Sequence, residues 1–582
     1  RIINMDKIIA GVLKEDAETQ QITGLNESKQ FEMFAAYSTI SQEYDDSFEI
    51  NDVITGDGCD CGIDSIAILC NGAMVNSIDE VEALLRENHR IIDCNIVFTQ
   101  AKTSSNFDAG AIGTFGDGAI DFFSENPLMV QNEGIRYKKK IVDYILLLGS
   151  KLDCLPKCTM YYVTTGRWMD DQNCNARIGR IKRDLERCGY LSQLEFIPVD
   201  ADRLRKYYKR TIETVETTVI FDKKVVLPEI QNVTQAFIGY LSYEEFMKLI
   251  SDPDSGEIRR SVFYDNVRDF QGNENSVNAQ MQKTVKNYPD DFILFNNGIT
   301  IICSQIKTVA AKATLTDYQI VNGCQTSHVI FNAKSGVNGK SLYIPVKIIE
   351  TQDETTINNI IKATNSQTLV TDEQLMSLNE FHKKLEAYYA AFDEDKRLYY
   401  ERRSHQYDGA SDHSRIERVR IVTVKDQIKA VSAMFFDKPH VAARYYGRLK
   451  KKDMDELFKK DDRLKPYYTS AFIVYKMEYF FRNNMLPQEY RKYRYHLLML
   501  LKYDIAEKNR DEFPTIPKLS SKKIDKFCDL LLYYAYDNER LKNEINILIQ
   551  CINTNVPDIN DVENTKAAVV VDKLKNSFTA TK

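Results

Sequence analysis

A chain of 582 residues is too long for one hydrophobic core and should form two to four domains. Its 43% hydrophobic and 28% charged residues are the proportions of a folded soluble protein. A net charge of -7 argues against a surface that binds polyanions throughout, although a local basic groove or a metal can still carry phosphate contacts.

No apolar run approaches the ~18–20 residues of a membrane helix. The opening "RIINMDKIIAGVLKEDAE" has too short an apolar segment for a secretory signal and turns acidic at once, so a cytoplasmic protein without a membrane partner is expected. The 12 cysteines then read as mostly reduced. Cys59 with Cys61, and Cys154 with Cys158, lack the spacing of zinc half-sites, and no His pair completes one. The runs Lys138–Lys140 and Lys450–Lys452 read as solvated helix faces.

Residues 28–44 place Phe31, Phe34, Ala35 and Ile40 near helical spacing. A Gly/Asp-rich turn, "TGDGCDCG", leads to a strand, "IDSIAILCN". A short charged helix around 79–90 precedes a second strand at 95–102, "NIVFTQAK". The segment "FDAGAIGTFGDGAIDFF" has helical apolar spacing in its second half, and "YKKKIVDYILLLGSKL" is an amphipathic helix. Then follow strand "TMYYVTTG", helix "ARIGRIKRDLERCGY", strand "QLEFIPVD" and helix "ADRLRKYYKR". This alternation predicts an α/β domain over 1–212. Residues 213–375 are mixed, with strands at "DYQIV" and "SLYIPVKIIE", and predict an α+β core. Residues 376–582 are mainly helical, as in "YTSAFIVYKMEYFFRNN", with a frayed end at "KNSFTATK".

Strand alternation puts Ile96, Phe98, Gln100 and Lys102 on one face, with the polar pair last. Asp64, Ile66 and Ile68 share a face of the preceding strand, with Asp64 first. If the two strands are antiparallel neighbours, Asp64 meets Gln100 and Lys102 at one sheet edge. That set suits metal-assisted phosphodiester hydrolysis. A carboxylate and a carbonyl oxygen hold a hard cation, Mg²⁺ or Mn²⁺, and an ammonium orients water and offsets developing charge. Gln100 offers an amide oxygen and Ala101 a backbone carbonyl. A further carboxylate would come from the helix before, where Glu32 and Glu43 lie ~16 Å apart along the axis, so only one reaches. Glu32, inside the apolar-periodic segment, is preferred.

"GDGCDCGIDSIAI" followed by "VFTQAKTSSNFD" resembles the PD-(D/E)XK nuclease pattern in its Mrr-like form, in which Gln replaces the acid before x-Lys. The resemblance implies a restriction-endonuclease-like domain with Asp64 as metal ligand and Gln100 and Lys102 as the second element. Asp60 competes for the first role from the turn before the strand.

The central segments "FYDNVRDFQG", "FNNGITIIC", "QIVNGCQTS", "ATNSQTLVTDEQL" and "YYERRSHQYDG" resemble the AIPR family over roughly residues 220–540. The family is named for abortive-infection phage resistance, and many members join this region to a nuclease-like N-terminal domain. "FILFNNGITIIC" reads as a hairpin turning at Asn-Asn-Gly. "YQIVNGCQTSHVIFNA" reads as a strand, an Asn-Gly turn and a helix whose first turn carries Gln325, Thr326 and Ser327. Its free N–H groups could bind phosphate, or Thr326 or Ser327 could simply cap the helix. Together with "TNSQTLV", this stretch faintly resembles motifs of ParB-like nucleotide-using domains. Asn322 stands where their Asp would be and the closing Arg is missing. Asn322, Gln325, Thr326 and Asn365 are therefore candidate ligand contacts. Arg268, Arg402 and Arg403 are candidate phosphate partners or structural ion pairs. "SGVNGKS" (335–341) lacks the context of a P-loop and reads as a hairpin turn.

The expectation is a Mg²⁺-dependent endonuclease of a prokaryotic antiphage system, acting on DNA before RNA. Asp64, Gln100, Lys102 and Glu32 would be catalytic, and Asp64, Gln100 and Glu32 would hold metal. Cutting both strands would favour a homodimer, and a defence-system partner protein is the other association to expect. The rival expectation is a nucleotide or nucleic-acid sensor whose nuclease fold is silent.

Overall fold

The computed structural model describes all residues other than 1–6, 45, 57, 213–214, 254–255, 257, 260–261, 264–275, 334–341, 365–379, 403–405, 408–415, 443–456, 460 and 580–582. The chain divides into two compact units. The first comprises Arg1–Tyr208, Asn379–Tyr407 and Asp412–Lys582, and the second Lys209–Leu378 with Asp408–Ser411. No helix among the described residues is long and apolar enough to cross a membrane.

The first unit begins with helices α1 (Lys7–Thr19) and α2 (Glu27–Ile40). Then come strands β1 (Ser65–Cys70) and β2 (Ala73–Met74), helix α3 (Ile78–Asn88) and strand β3 (Cys94–Lys102). Helices α4 (Ala109–Phe123) and α5 (Glu133–Leu146) precede strand β4 (Lys157–Thr164). Helix α6 (Gln172–Arg187), strand β5 (Gln193–Val199) and helix α7 (Ala201–Ile212) complete the series. The sheet order is β2-β1-β3-β4-β5, with β1 antiparallel to β3 and the rest of the β3-β4-β5 row parallel.

All six residues of β1 and seven of the eight in β4 are buried, the signature of strands covered on both faces. Ile66, Ile68, Ile96 and Phe98 pack with Phe115 and Phe122 of α4 and Ile141 of α5. Ala67, Leu69, Val97 and Ala101 pack on the other face with Phe31 and Phe34 of α2 and Leu204 of α7. The expected alternation along both strands is what the sheet shows.

The C-terminal helices of this unit run from Val424–Phe435 and Lys465–Arg482 to Arg494–Lys508, Lys523–Ala535 and Asn538–Asn555, ending in Ala568–Thr579. The last helix continues to Thr579, so the expected fraying does not begin at Lys575. These helices grip the N-terminal elements through ion pairs. Arg482 meets Glu49 at 3.0 Å, Arg491 meets Asp52 at 2.8 Å and Lys566 meets Asp79 at 2.8 Å.

Lys138 corrects the solvated-face reading of its run. It is buried, its Nζ donates to Asn76 Oδ1 at 2.7 Å, and burial lowers its pKa to about 8. Only Lys140 of the three is exposed. Lys450–Lys452 lie outside the described residues.

The second unit holds strands β6 (Glu216–Ile220), β7 (Lys224–Val226) and β8 (Gln235–Ser242), then helices α8 (Tyr243–Ile250), α9 (Ser276–Asn287) and α10 (Phe292–Phe295). Strands β9 (Ile299–Val309) and β10 (Lys312–Asn322) follow, then helix α11 (Cys324–Asn332), strand β11 (Tyr343–Glu350) and helix α12 (Glu354–Thr364). The sheet order is β6-β10-β9-β11-β8-β7.

The hairpin expected over Phe292–Cys303 is absent. Phe292–Phe295 form a helical turn with Leu294 and Phe295 exposed, and β9 pairs with β10 and β11 instead. Asn296 Oδ1 accepts from the Gly298 N–H at 2.9 Å, a local turn that launches β9 without folding the chain back on itself. The turn expected at 335–341 lies outside the described residues.

Candidate active site

The site lies where β1 begins and β3 ends. Ser65 pairs with Thr99, and the Asp64 N–H donates to the Thr99 carbonyl at 2.9 Å. Asp64 therefore stands one step before β1, beside Gln100. Its Oδ2 accepts from the Ala101 N–H at 2.7 Å. Burial pushes the Asp64 pKa up to about 7, with the Glu32 and Asp60 charges adding to the rise and the Ala101 N–H and Lys102 opposing it.

Gln100 is 2% exposed, and its Oε1 is buried without a hydrogen-bond partner. A buried amide oxygen in that state costs free energy until something supplies a partner. Gly62 explains how the Gln100 side chain fits. Its φ of +75° suits glycine, and a Cβ there would come within 2.9 Å of Gln100 Nε2. Asp60 Oδ1 accepts from the Gly62 N–H at 2.8 Å, which fixes this turn. Asp60 is thus committed to the turn, while Asp64 is committed to the sheet edge.

Lys102 closes β3 opposite Thr164 of β4 and is half-buried. Glu32 on α2 forms an ion pair with Lys29 at 3.0 Å and is near enough to Asp64 to raise its pKa. Glu43 is engaged at the start of β3, where it accepts from Asn95 Nδ2 at 3.0 Å and from the Tyr161 hydroxyl at 2.6 Å. The structure therefore brings Asp64, Gln100, Lys102 and Glu32 into one neighbourhood.

Tyr162 was not among the expected residues. It sits opposite Gln100 on β4, so it shares that face of the sheet. Burial holds its hydroxyl above the usual pKa, and the Asp108, Cys174 and Asp64 charges add to the effect. The signal was present in "TMYYVTTG", but assigning it required the β3–β4 register.

Among the described residues, no group of three or more His, Cys, Asp or Glu side chains is arranged to hold a metal ion. The site offers two carboxylates, an amide oxygen and a backbone carbonyl. That is a hard-oxygen donor set, suited to an ion of the Mg²⁺ type that keeps several waters.

The remaining candidates fall elsewhere. In the second unit, Gly323 turns β10 into α11 with φ +100° and gives no side-chain cap. Asn322 pairs with Thr300 at a register shift in β10. Thr326 Oγ1 accepts from Asn296 Nδ2 at 3.2 Å, and Ser327 Oγ donates back to the Gly323 carbonyl at 2.9 Å, so neither caps the helix. Gln325 is half-buried in the first turn of α11. In the first unit, Arg402 Nε meets Glu386 at 2.6 Å with its side chain 2% exposed, so it has the ion-pair role. Arg268, Asn365 and Arg403 lie outside the described residues.

The AIPR protein family model matches residues 263–559. The chain belongs to the AIPR family, a membership that suggests a part in defence against phage. No curated protein and no solved structure matches it.

Proposed function

We propose that the first unit is a restriction-endonuclease-like domain. Its Asp64 site carries out Mg²⁺- or Mn²⁺-dependent hydrolysis of nucleic-acid phosphodiesters, DNA before RNA, within an antiphage defence system. The observation that carries this reading is the buried, unpartnered Gln100 Oε1 beside the buried Asp64 carboxylate and the Lys102 ammonium. A divalent cation would satisfy both oxygens at once. Replacement of the usual acid by Gln100 leaves less negative charge, so affinity would be modest.

Asp64 and Gln100 would bind the ion, and Glu32 would complete its oxygen set after releasing Lys29. When bound, the ion would acidify a water and offset charge on the scissile phosphate. Lys102 orients the attacking water and neutralises charge on the phosphate oxygens. Tyr162, on the same face, helps to wall the site from bulk water. A second reading, a nucleotide or nucleic-acid sensor, draws on the uncapped start of α11 and the amides of Asn322 and Gln325.

Calorimetric titration with Mn²⁺ tests the metal assignment. Wild type should bind, Gln100→Ala should bind about tenfold more weakly or worse, and Asp64→Ala should lose binding. Equal binding by all three would overturn it.

A further inference from the structure

The loop between α4 and α5 carries an unusual tip. Leu128 is 93% exposed and Val130 75%, with Met129 between them at 36%. Single exposed apolar residues are ordinary, but three in succession on one turn are not.

This tip is also firmly held. Asp121, buried on α4, accepts from the Leu128 N–H at 2.6 Å, from the Met129 N–H at 3.3 Å and from Gln131 Nε2 at 3.1 Å. The Asn132 N–H donates to the Cys59 carbonyl at 2.9 Å, and Cys61 Sγ donates to the Val130 carbonyl at 3.5 Å. The tip is thereby fastened to the turn that contains Asp60 and Gly62 and delivers Asp64. Arg136, exposed on α5, donates to the Gln131 carbonyl at 2.5 Å and places a cation beside the tip.

We propose that Leu128, Met129 and Val130 form a wedge that inserts between base steps of duplex DNA whose backbone lies at the Asp64 site. This rests on the nuclease reading and adds to it how the substrate is engaged. A wedge must be rigid, apolar and flanked by cations that hold the phosphates, and this loop meets all three conditions. A stable protein interface buries about 800 Å² per partner, far more than three residues supply. The neighbouring Asn126, Gln131, Asn132 and Arg136 suit groove edges and phosphates better than an apolar partner surface.

The test uses the full chain and a duplex oligonucleotide carrying 2-aminopurine, with Ca²⁺ in place of Mg²⁺. Binding is read by anisotropy and unstacking by 2-aminopurine fluorescence. Wild type should bind and raise the fluorescence. Leu128→Ser/Val130→Ser should lose the rise and bind about tenfold more weakly. Lys102→Ala should keep the rise, because that residue acts on the phosphate and not on the stack. Wild-type binding without a rise, or a double variant that unstacks as wild type does, would overturn the wedge. So would a double variant that only converts a wild-type dimer to monomer in sedimentation, which would make the tip an interface between copies. A protein that binds and unstacks but never cuts DNA in Mg²⁺ would sink the nuclease reading and leave the wedge standing.

Discussion

Asp64 and Asp16 are both buried carboxylates whose pKa burial pushes up to about 7, yet their surroundings differ. Asp64 has Lys102, a second acid and an unpartnered amide oxygen beside it. Asp16, on α1, has the Arg418 charge and Gln20, and sits among Leu13, Ala17 and other apolar residues. Only the first arrangement resembles a reaction site. The second is a stability liability with a definite pH signature. An unfolded Asp ionises near 3.8 and folded Asp16 near 7, so between those values the folded state binds more protons. The contribution is intact below about 3.8 and is lost as pH rises through 7. Asp16→Asn should therefore gain stability over wild type as pH goes from 5 to 8, by at most about 4 kcal/mol for a shift of roughly three pH units. Thermal unfolding at both pH values checks this, and a variant with the same offset at each would contradict it. Much at this scale was legible from residue type and alternation. Asp64, Gln100 and Lys102 needed only two short strands and a close connection. The burial of Lys138 and the unpartnered Gln100 oxygen were not legible, because both depend on neighbours far along the chain.

Elements were readable where the apolar period was long and uniform. Strands β1, β3, β4 and β5 and their intervening helices follow the pattern, since each buries a face against the sheet. The reading failed at Phe292–Cys303, where Asn296, Asn297 and Gly298 looked like a hairpin turn but join a helical turn to a strand. Turn residues state that the chain bends and not what it bends between. Also hidden was the buried ion network that fastens Ile50–Asp52 to the C-terminal helices. Arg491 meets Asp52 at 2.8 Å and Glu478 at 2.8 Å, and Arg494 meets Glu478 at 3.0 Å. Burial alone would raise the Asp52 pKa, but the pull of Arg491 and Arg494 lowers it to about 2. Arg491→Ala leaves two buried carboxylates short of a partner and should cost about 3–5 kcal/mol in denaturant unfolding. A loss below about 1 kcal/mol would show that the network contributes little.

At the scale of the whole molecule, the first unit is discontinuous: the N-terminal α/β elements and the C-terminal helices are one body, with residues 209–378 set aside as a second unit. Composition and periodicity divide a chain only along its length, so they could not reveal that residues 1–208 pack with residues 412–582. The AIPR match spans residues of both units, so the family region is not a separable appendage of the α/β sheet. The account's central claim is that the sheet edge at Asp64 cuts nucleic acid. The most direct measurement compares cleavage of duplex DNA by the full chain, Asp64→Ala and Lys102→Ala, with Mg²⁺ and with EDTA. The account predicts cleavage by wild type in Mg²⁺, none in EDTA, and a loss of about a hundredfold or more in each variant. Cleavage that survives both substitutions would contradict it.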